Sequence, residues 1–291
     1  MNQTAPTTQI KFPPLDYLLI GHITQDLTPA GAVLGGTAAY SARAAVAMGM
    51  RVGIVTVAPP SVDLSALSAF PIQRLDSPVA TTFENIQTPA GRIQYLHQRA
   101  RPIVAQDVPM EWRSTPIVHL GPVANEIDPS LLAIFPHSFL GITPQGCMRA
   151  VDENQKVKYR DWADAPNILA HCSAGVISVE DVKFDEGRIN NLQKYCKVFV
   201  VTEGAGGARL FCKGEVRRVP APTVKVLDTT GAGDIFAAIF FIRLQATGDP
   251  WLACTQAVHL ASLSITRTGV EGVPTAAEVQ NALMEITPQK G

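Results

Sequence analysis

The feature that most constrains this chain is a series of short, largely apolar runs, each set against a turn and a helix-forming segment. Tyr17–Ile20, Val52–Val57, Ile117–Leu120, Phe139–Ile142 and Val198–Thr202 are too short for helices. They also lack the strict alternation of a half-exposed strand, so they read as strands buried on both faces. Helical candidates lie among them at residues 37–48, 129–135 and 186–195, the first opened by Gly35-Gly36 and followed by Gly49, where a left-handed cap would sit. Strands alternating with helices imply an α/β three-layer sandwich with a mostly parallel central sheet. Composition agrees: hydrophobic residues are 46% and charged ones 17%, where a typical soluble domain carries about 25% charge.

One region breaks the alternation. Residues 81–86 and 92–98 are mixed polar and apolar and flank Thr88-Pro89-Ala90-Gly91, a turn sequence, so they read as an antiparallel hairpin with one wet face. The C-terminal third reads as a hairpin over 208–219 turning at Lys213-Gly214, a strand at 224–227, and helices starting near Asp234, Pro250 and Thr275. The expected organisation is a polar extension at 1–14 and one domain over 15–291, with a small β lid from segments near 26–34 and 79–100.

Several function classes are excluded early. Lys plus Arg number 24 and Asp plus Glu 25 with no dense basic run, which argues against a nucleic-acid backbone or an anionic membrane as the main partner. The longest apolar run, 235–242, has eight residues, against the eighteen or so a spanning helix needs. The first ten residues lack the cationic start and apolar centre of a signal peptide, and the expected location is cytoplasmic. Cys147, Cys172, Cys196, Cys212 and Cys254 show no metal or redox spacing and read as reduced core residues. The six histidines show no metal spacing either.

The most informative segment is Asp228-Thr229-Thr230-Gly231-Ala232-Gly233-Asp234. Its glycines let successive N–H groups converge at a helix start. Unpaired amides and the positive helix end favour a phosphate, and more so the charge that spreads over a phosphoryl group in transfer. Asp234 in the first turn repels a stored anion, but suits a base that takes a hydroxyl proton from an attacking substrate. The plainer reading is an ordinary β–α turn in which Asp234 caps a helix. Two rival glycine motifs fail: a dinucleotide fingerprint would need glycine at Phe236, and no GxxxxGK[ST] is present. A serine-hydrolase elbow fails too, with His171 where glycine is required.

Residues 228–234 resemble the C-terminal signature DTxGAGD of the ribokinase-like, phosphofructokinase-B type carbohydrate kinases. Gly35-Gly36 before an Ala-rich helix resembles the family's N-terminal double glycine. Gly21-His22-Ile23-Thr24-Gln25-Asp26 resembles the strand, glycine and substrate-binding aspartate before it. The order of elements agrees over about residues 15–275. The resemblance implies a ribokinase-like sandwich with a β lid, and an enzyme that moves the γ-phosphate of ATP, with Mg²⁺, onto a hydroxyl of a small polyol. It makes Asp234 the catalytic base and the amides of Gly231, Ala232 and Gly233 the anion hole. Asp26, Gly35 and Gly36 would hold substrate hydroxyls. Thr202, Gly204 and Gly207 resemble the family's TxGxxG segment that lines the nucleotide, beside Thr229. Asp228 matches a position that in several members helps hold a monovalent cation such as K⁺. A homodimer through the lid is compatible with it.

Two departures shape the expectation. Tyr40 stands where many sugar kinases carry Asn, and Ile177-Ser178-Val179-Glu180 keeps only the acid of an NxxE element found near Mg²⁺. Glu180, with Asp181 beside it, is the metal candidate, and this acid pair is expected at a helix start. Tyr40, Asn85 and Glu126 join the acceptor candidates, with Phe83, Gln94 and Arg149 nearby in the argument. A sugar or cyclitol kinase is the expected activity. A nucleoside kinase, with Tyr40 or Phe83 stacking a base, and a catalytically silent ligand-binding relative are the alternatives.

Overall fold

The computed structural model describes residues 12–29, 31–88 and 91–285. In chain order the elements are β1 (Tyr17–Ile20), β2 (Thr24–Thr28), β3 (Gly31–Gly35), α1 (Thr37–Ala47), β4 (Val52–Val57), β5 (Ile72–Leu75), β6 (Thr81–Thr88), β7 (Gly91–Gln98), β8 (Ile117–Leu120), α2 (Ser130–Ala133) and β9 (Phe139–Ile142). There follow β10 (Arg149–Val151), β11 (Val157–Tyr159), α3 (Ala165–His171), β12 (Ala174–Ser178), α4 (Glu186–Leu192), β13 (Val198–Thr202), β14 (Ala208–Cys212), β15 (Glu215–Val219), α5 (Ala232–Thr247), α6 (Pro250–Ser264) and α7 (Ala276–Glu285).

Among these residues, nine strands form one sheet in the order β15-β14-β13-β12-β9-β8-β1-β4-β5. It is parallel from β13 to β5, with β14 and β15 added antiparallel at one edge. Alternation within the apolar strands feeds two cores. Tyr17 and Leu19 pack with α1 and α5, while Leu18 and Ile20 pack on the other face with Trp112, Phe135 and Ile168. α5 is apolar around its whole circumference because the sheet, α1 and α6 enclose it. His119 is a core residue: its ring bonds Tyr17 and Thr143 at 2.7 and 2.9 Å, and burial drives its pKa down to about 3. All five cysteines are free and buried. No helix among the described residues is long and apolar enough to cross a membrane.

A second sheet, in the order β3-β2-β6-β7, stands off the sandwich. The hairpin expected at 81–98 is there, but β2 and β3 complete it, with β2 running parallel to β6. Pro89 and Ala90 of the expected turn, and most of the 1–14 extension, lie outside the described residues. His22 pins the base of this sheet. Its Nε2 donates to the Arg101 carbonyl at 2.9 Å, which leaves Nδ1 to accept from the Thr81 hydroxyl at 2.7 Å.

Four sequence expectations change. The strand at 224–227 does not form: Pro220 and Pro222 interrupt its approach, and the N–H groups of Leu227 and Asp228 donate instead to the Ile265 carbonyl at the end of α6. The helix at 129–135 is a single turn, Ser130–Ala133, and that at 186–195 tightens after Leu192. Glu180 and Asp181 lie in a turn after β12, not at a helix start.

Candidate active site

The site forms where the N-termini of α1 and α5 meet at the carboxyl ends of the strands, the place where sheets of this type bind ligands. Gly231 caps α5 in the left-handed conformation, φ 76°. A side chain there would overlap the Tyr40 ring, so the missing Cβ lets the phenol lie on the loop. The Ser41 hydroxyl donates to the Asp234 carbonyl at 2.9 Å, fastening α1 to the first turn of α5. Ala232 N makes only a long 3.3 Å bond to Thr229 O, and the first amides of a helix have no partner within it. Gly233 is exposed, and a Cβ added there would meet no atom within 4 Å. The loop is a cradle with open amides and free space above it.

Asp234 sits at the floor of this cradle. No backbone N–H lowers its pKa, so its carboxylate is not spent as a helix cap. Burial, and after it the negative charge of Asp181, push its carboxyl up from 3.8 to about 6, while Thr37 and Arg149 pull the other way. The Thr37 hydroxyl is buried beside it and completes no hydrogen bond of regular geometry. A carboxylate ionised at neutral pH, next to an unsatisfied hydroxyl and open amides, can take a proton from a hydroxyl held against it.

The side of the corner facing the second sheet is built by α1 and that sheet. Thr24 donates to Asp26 Oδ1 at 2.9 Å, and a Cβ at Gly35 would strike both side chains. Gly36, φ 89°, turns the chain into α1 with its α-carbon against the His22 carbonyl. Burial, then Asp228 and Asp234, raise the Tyr40 pKa, which keeps the phenol neutral and able to donate. Asn85 accepts from Gln94 at 2.9 Å, on the lid face that also carries Phe83. Phe83 lies under the Arg149 guanidinium at 5.4 Å, and Arg149 donates to Val123 O and Gln145 Oε1.

Glu126 is a structural residue, contrary to the sequence expectation. It is 1% exposed, and its carboxylate accepts the N–H groups of His22, Val123 and Ala124 at 2.7–3.0 Å. Glu126→Ala would orphan three buried donors, each worth about 1–3 kcal/mol. The expected outcome in a calorimetric melt is a Tm lower by several degrees, partly restored by Glu126→Gln, with the acceptor KM unchanged in the folded fraction.

On the far side, Thr202 ends β13, donating to the Ile177 carbonyl at 3.3 Å. Gly204 and Gly207 follow with φ 56° and 85°, and Gly207 lies against the chain at Val219–Ala221. Asp228 clamps the loop: Oδ1 accepts from Thr230 N at 2.9 Å and Oδ2 from Gly269 N at 2.8 Å, and the Thr230 side chain first, then these backbone bonds, lower its pKa. Thr229 is exposed beside it. Glu180 is exposed, whereas Asp181 is the acid whose charge reaches Asp234. Of the two acids expected near a metal, Asp181 is thus the one electrostatically coupled to Asp234. Sequence reasoning missed Thr37 and Thr24. Their signal was position: one follows the double glycine, the other precedes Asp26 by two.

The fold and loop together define a class, the ribokinase-type α/β sandwich. A pyrophosphate-dependent kinase in the ribokinase family, complexed with a pyrophosphate analog and myo-inositol, superposes with a TM-score of 0.77 at 19% identity, covering 91% of this chain and 99% of that one. The ribokinase of Giardia lamblia gives 0.74 at 18%, covering 94% and 100%. The pfkB family carbohydrate kinase model matches residues 184–276, so the C-terminal third of the chain is similar to that family. The ribokinases of Lactococcus lactis and Bacillus subtilis are each 37% identical, over 97 and 93 residues; these matches cover 33% and 32% of this chain and 32% of each relative. The matched part thus spans about a third of the curated relatives' length.

Proposed function

We propose that this protein transfers the γ-phosphoryl group of ATP to a hydroxyl of a small polyol, a sugar or cyclitol. The observation that carries the reading is the Asp234 carboxylate, uncapped and with its pKa near 6, at the foot of an open amide cradle. In this reading Asp26 and the Gly35-Gly36 backbone orient the acceptor, and Asp234 accepts the proton of the attacking hydroxyl. The Gly231, Ala232 and Gly233 amides then face the charge that grows on the transferred group.

Mg²⁺ fits this corner. No group of three metal-ligating side chains occurs among the described residues, and Mg²⁺ is ordinarily held by one or two carboxylates together with substrate phosphates and water. Asp181 would hold it, where the ion would neutralise donor phosphate charge. Asp228 is the residue that would share a monovalent cation.

A nucleotide donor is favoured over bare pyrophosphate by the apolar surface beside the cradle. Val226, Leu227 and Val270 are 55%, 57% and 47% exposed, next to the junction that Asp228 makes with Gly269, and apolar side chains there suit a base. A nucleoside acceptor is disfavoured, because one face of the Tyr40 ring is already covered by Gly231.

Product release from ATP and from pyrophosphate, measured over a panel of sugars, inositols and nucleosides, tests the reading. ATP turnover with a polyol is expected; turnover with pyrophosphate alone overturns the donor, and turnover with nucleosides alone the acceptor. Gly233→Ala sharpens it. The methyl group would enter empty space, and replacing glycine within a helix stabilises by about 0.5–1 kcal/mol, so the melting temperature should hold or rise. The donor KM should rise at least several-fold, since the same space is the donor's.

A further inference from the structure

The amino pole of the main sheet carries a cavity of about 900 Å³, opposite the site described above. Phe139, Ser173 and Val198, at or just before the starts of β9, β12 and β13, line it together with Leu244 near the end of α5. Along α5, Leu244 lies about 15 Å from Asp234, so the cavity is a separate place. Its volume falls within the roughly 300–1,000 Å³ of small-molecule sites. An annex of about 190 Å³ continues to Trp251, on whose ring the Arg217 guanidinium is stacked at 4.2 Å.

The lining is two-sided. Phe139, Phe211, Leu244 and the buried thiols of Cys172, Cys196 and Cys212 form an apolar wall. Lys194, Lys197 and Lys213 form the rim; all are exposed, and none is in an ion pair among the described residues. The acid in the lining, Glu215, is already paired with Arg217 at 2.7 Å.

Helix ends explain part of this charge. Lys194 sits in the last turn before Cys196, where the negative end of a helix attracts a cation. Lys213 has no such reason. It occupies the β14–β15 turn at φ 51°, followed by Gly214 at φ 80°, a left-handed pair in which Asn, Asp or Gly is the ordinary first residue. The turn thus holds a lysine at the cavity mouth against its backbone preference.

We propose that this cavity binds a small amphipathic organic anion: an apolar or aromatic body against Phe139, Phe211 and Leu244, and a phosphate or carboxylate against Lys194, Lys197 and Lys213. Lysine serves such a group as a point charge, and the wall removes the body from water. The proposal is independent of the phosphoryl-transfer reading, because no residue is shared between the two sites.

The probes are 1-naphthyl phosphate and 1-naphthoate, with the neutral 1-naphthalenemethanol and inorganic phosphate as controls, titrated calorimetrically into the whole chain. At least one naphthyl anion should bind more tightly than either control. The triple variant Lys194→Gln/Lys197→Gln/Lys213→Gln should weaken it at least tenfold, while Asp234→Asn leaves it unchanged. The phosphate and carboxylate arms identify which head group the rim prefers. Equal affinity in the triple variant, loss of binding in Asp234→Asn, or naphthyl anions that bind no more tightly than the two controls would overturn the proposal.

Discussion

Asp234→Asn should abolish most turnover while making the protein more stable, a pairing that an ordinary capping residue would not give. Loss of a general base costs about 10²–10⁴-fold in rate, and donor binding should persist because the cradle amides are backbone. The stability effect follows from the sign of the pKa shift. A carboxyl raised in the folded state from 3.8 to about 6 is penalised when ionised, fully so above pH 6 and not at all below pH 4. The displacement sets a ceiling of about 3 kcal/mol, and partial solvent access reduces it to about 1 kcal/mol. Calorimetry at pH 8 should show the variant melting a few degrees higher, with the gain vanishing near pH 4. In the wild type, kcat should fall as pH drops through about 6. A variant with near-normal turnover, or one destabilised at pH 8, would remove Asp234 from the role of base.

Gly231→Ala should be almost as damaging, for steric reasons. The new methyl would meet the Tyr40 ring at a residue held at φ 76°, where a left-handed alanine costs about 1–2 kcal/mol before any clash. Loop and ring must part, carrying the amides away from Asp234, and a displacement of about 1 Å can cost on the order of 10²-fold in rate. Tyr40→Ala alone leaves room and should chiefly change the ranking of acceptors by kcat/KM. The double variant should recover at least tenfold over Gly231→Ala, a coupling that distant sites do not show. Additive losses in the double-mutant cycle would mean that the ring and the loop do not act on each other in solution.

What the sequence disclosed and what it hid follow from the range of the interactions involved. The glycine loop was legible because left-handed angles, open amides and a first-turn carboxylate are encoded within seven consecutive residues. Buried parallel strands were legible because both faces are apolar. The strand expected at 224–227 fails on a tertiary ground: its N–H groups found the end of α6, nearly forty residues on. The lid segment near 26–34 was legible only as a region, because β2 is largely polar and β3 is short, glycine-ended and mostly exposed rather than part of a core. Glu126 read as a substrate acid because nothing local announces that three amides, one of them on His22, converge on it. The Tyr40 departure was visible, whereas its contact across the chain with Gly231 was not.

The His22 pin sets what any movement of the lid can do. Thr81 and Arg101 are tied to one ring, so a closing motion has to pivot outward of that bond. Asp26 lies two residues beyond Thr24, about 7 Å along its strand, and Asn85 four beyond Thr81, about 13 Å. A plate turning about a fixed edge moves in proportion to distance from it, so Asn85 would sweep roughly twice as far as Asp26. Recognition by this corner would then proceed in two stages: a first grip available to any polyol that reaches Asp26, and a later inspection by the outer lid that only a molecule of the right outline passes.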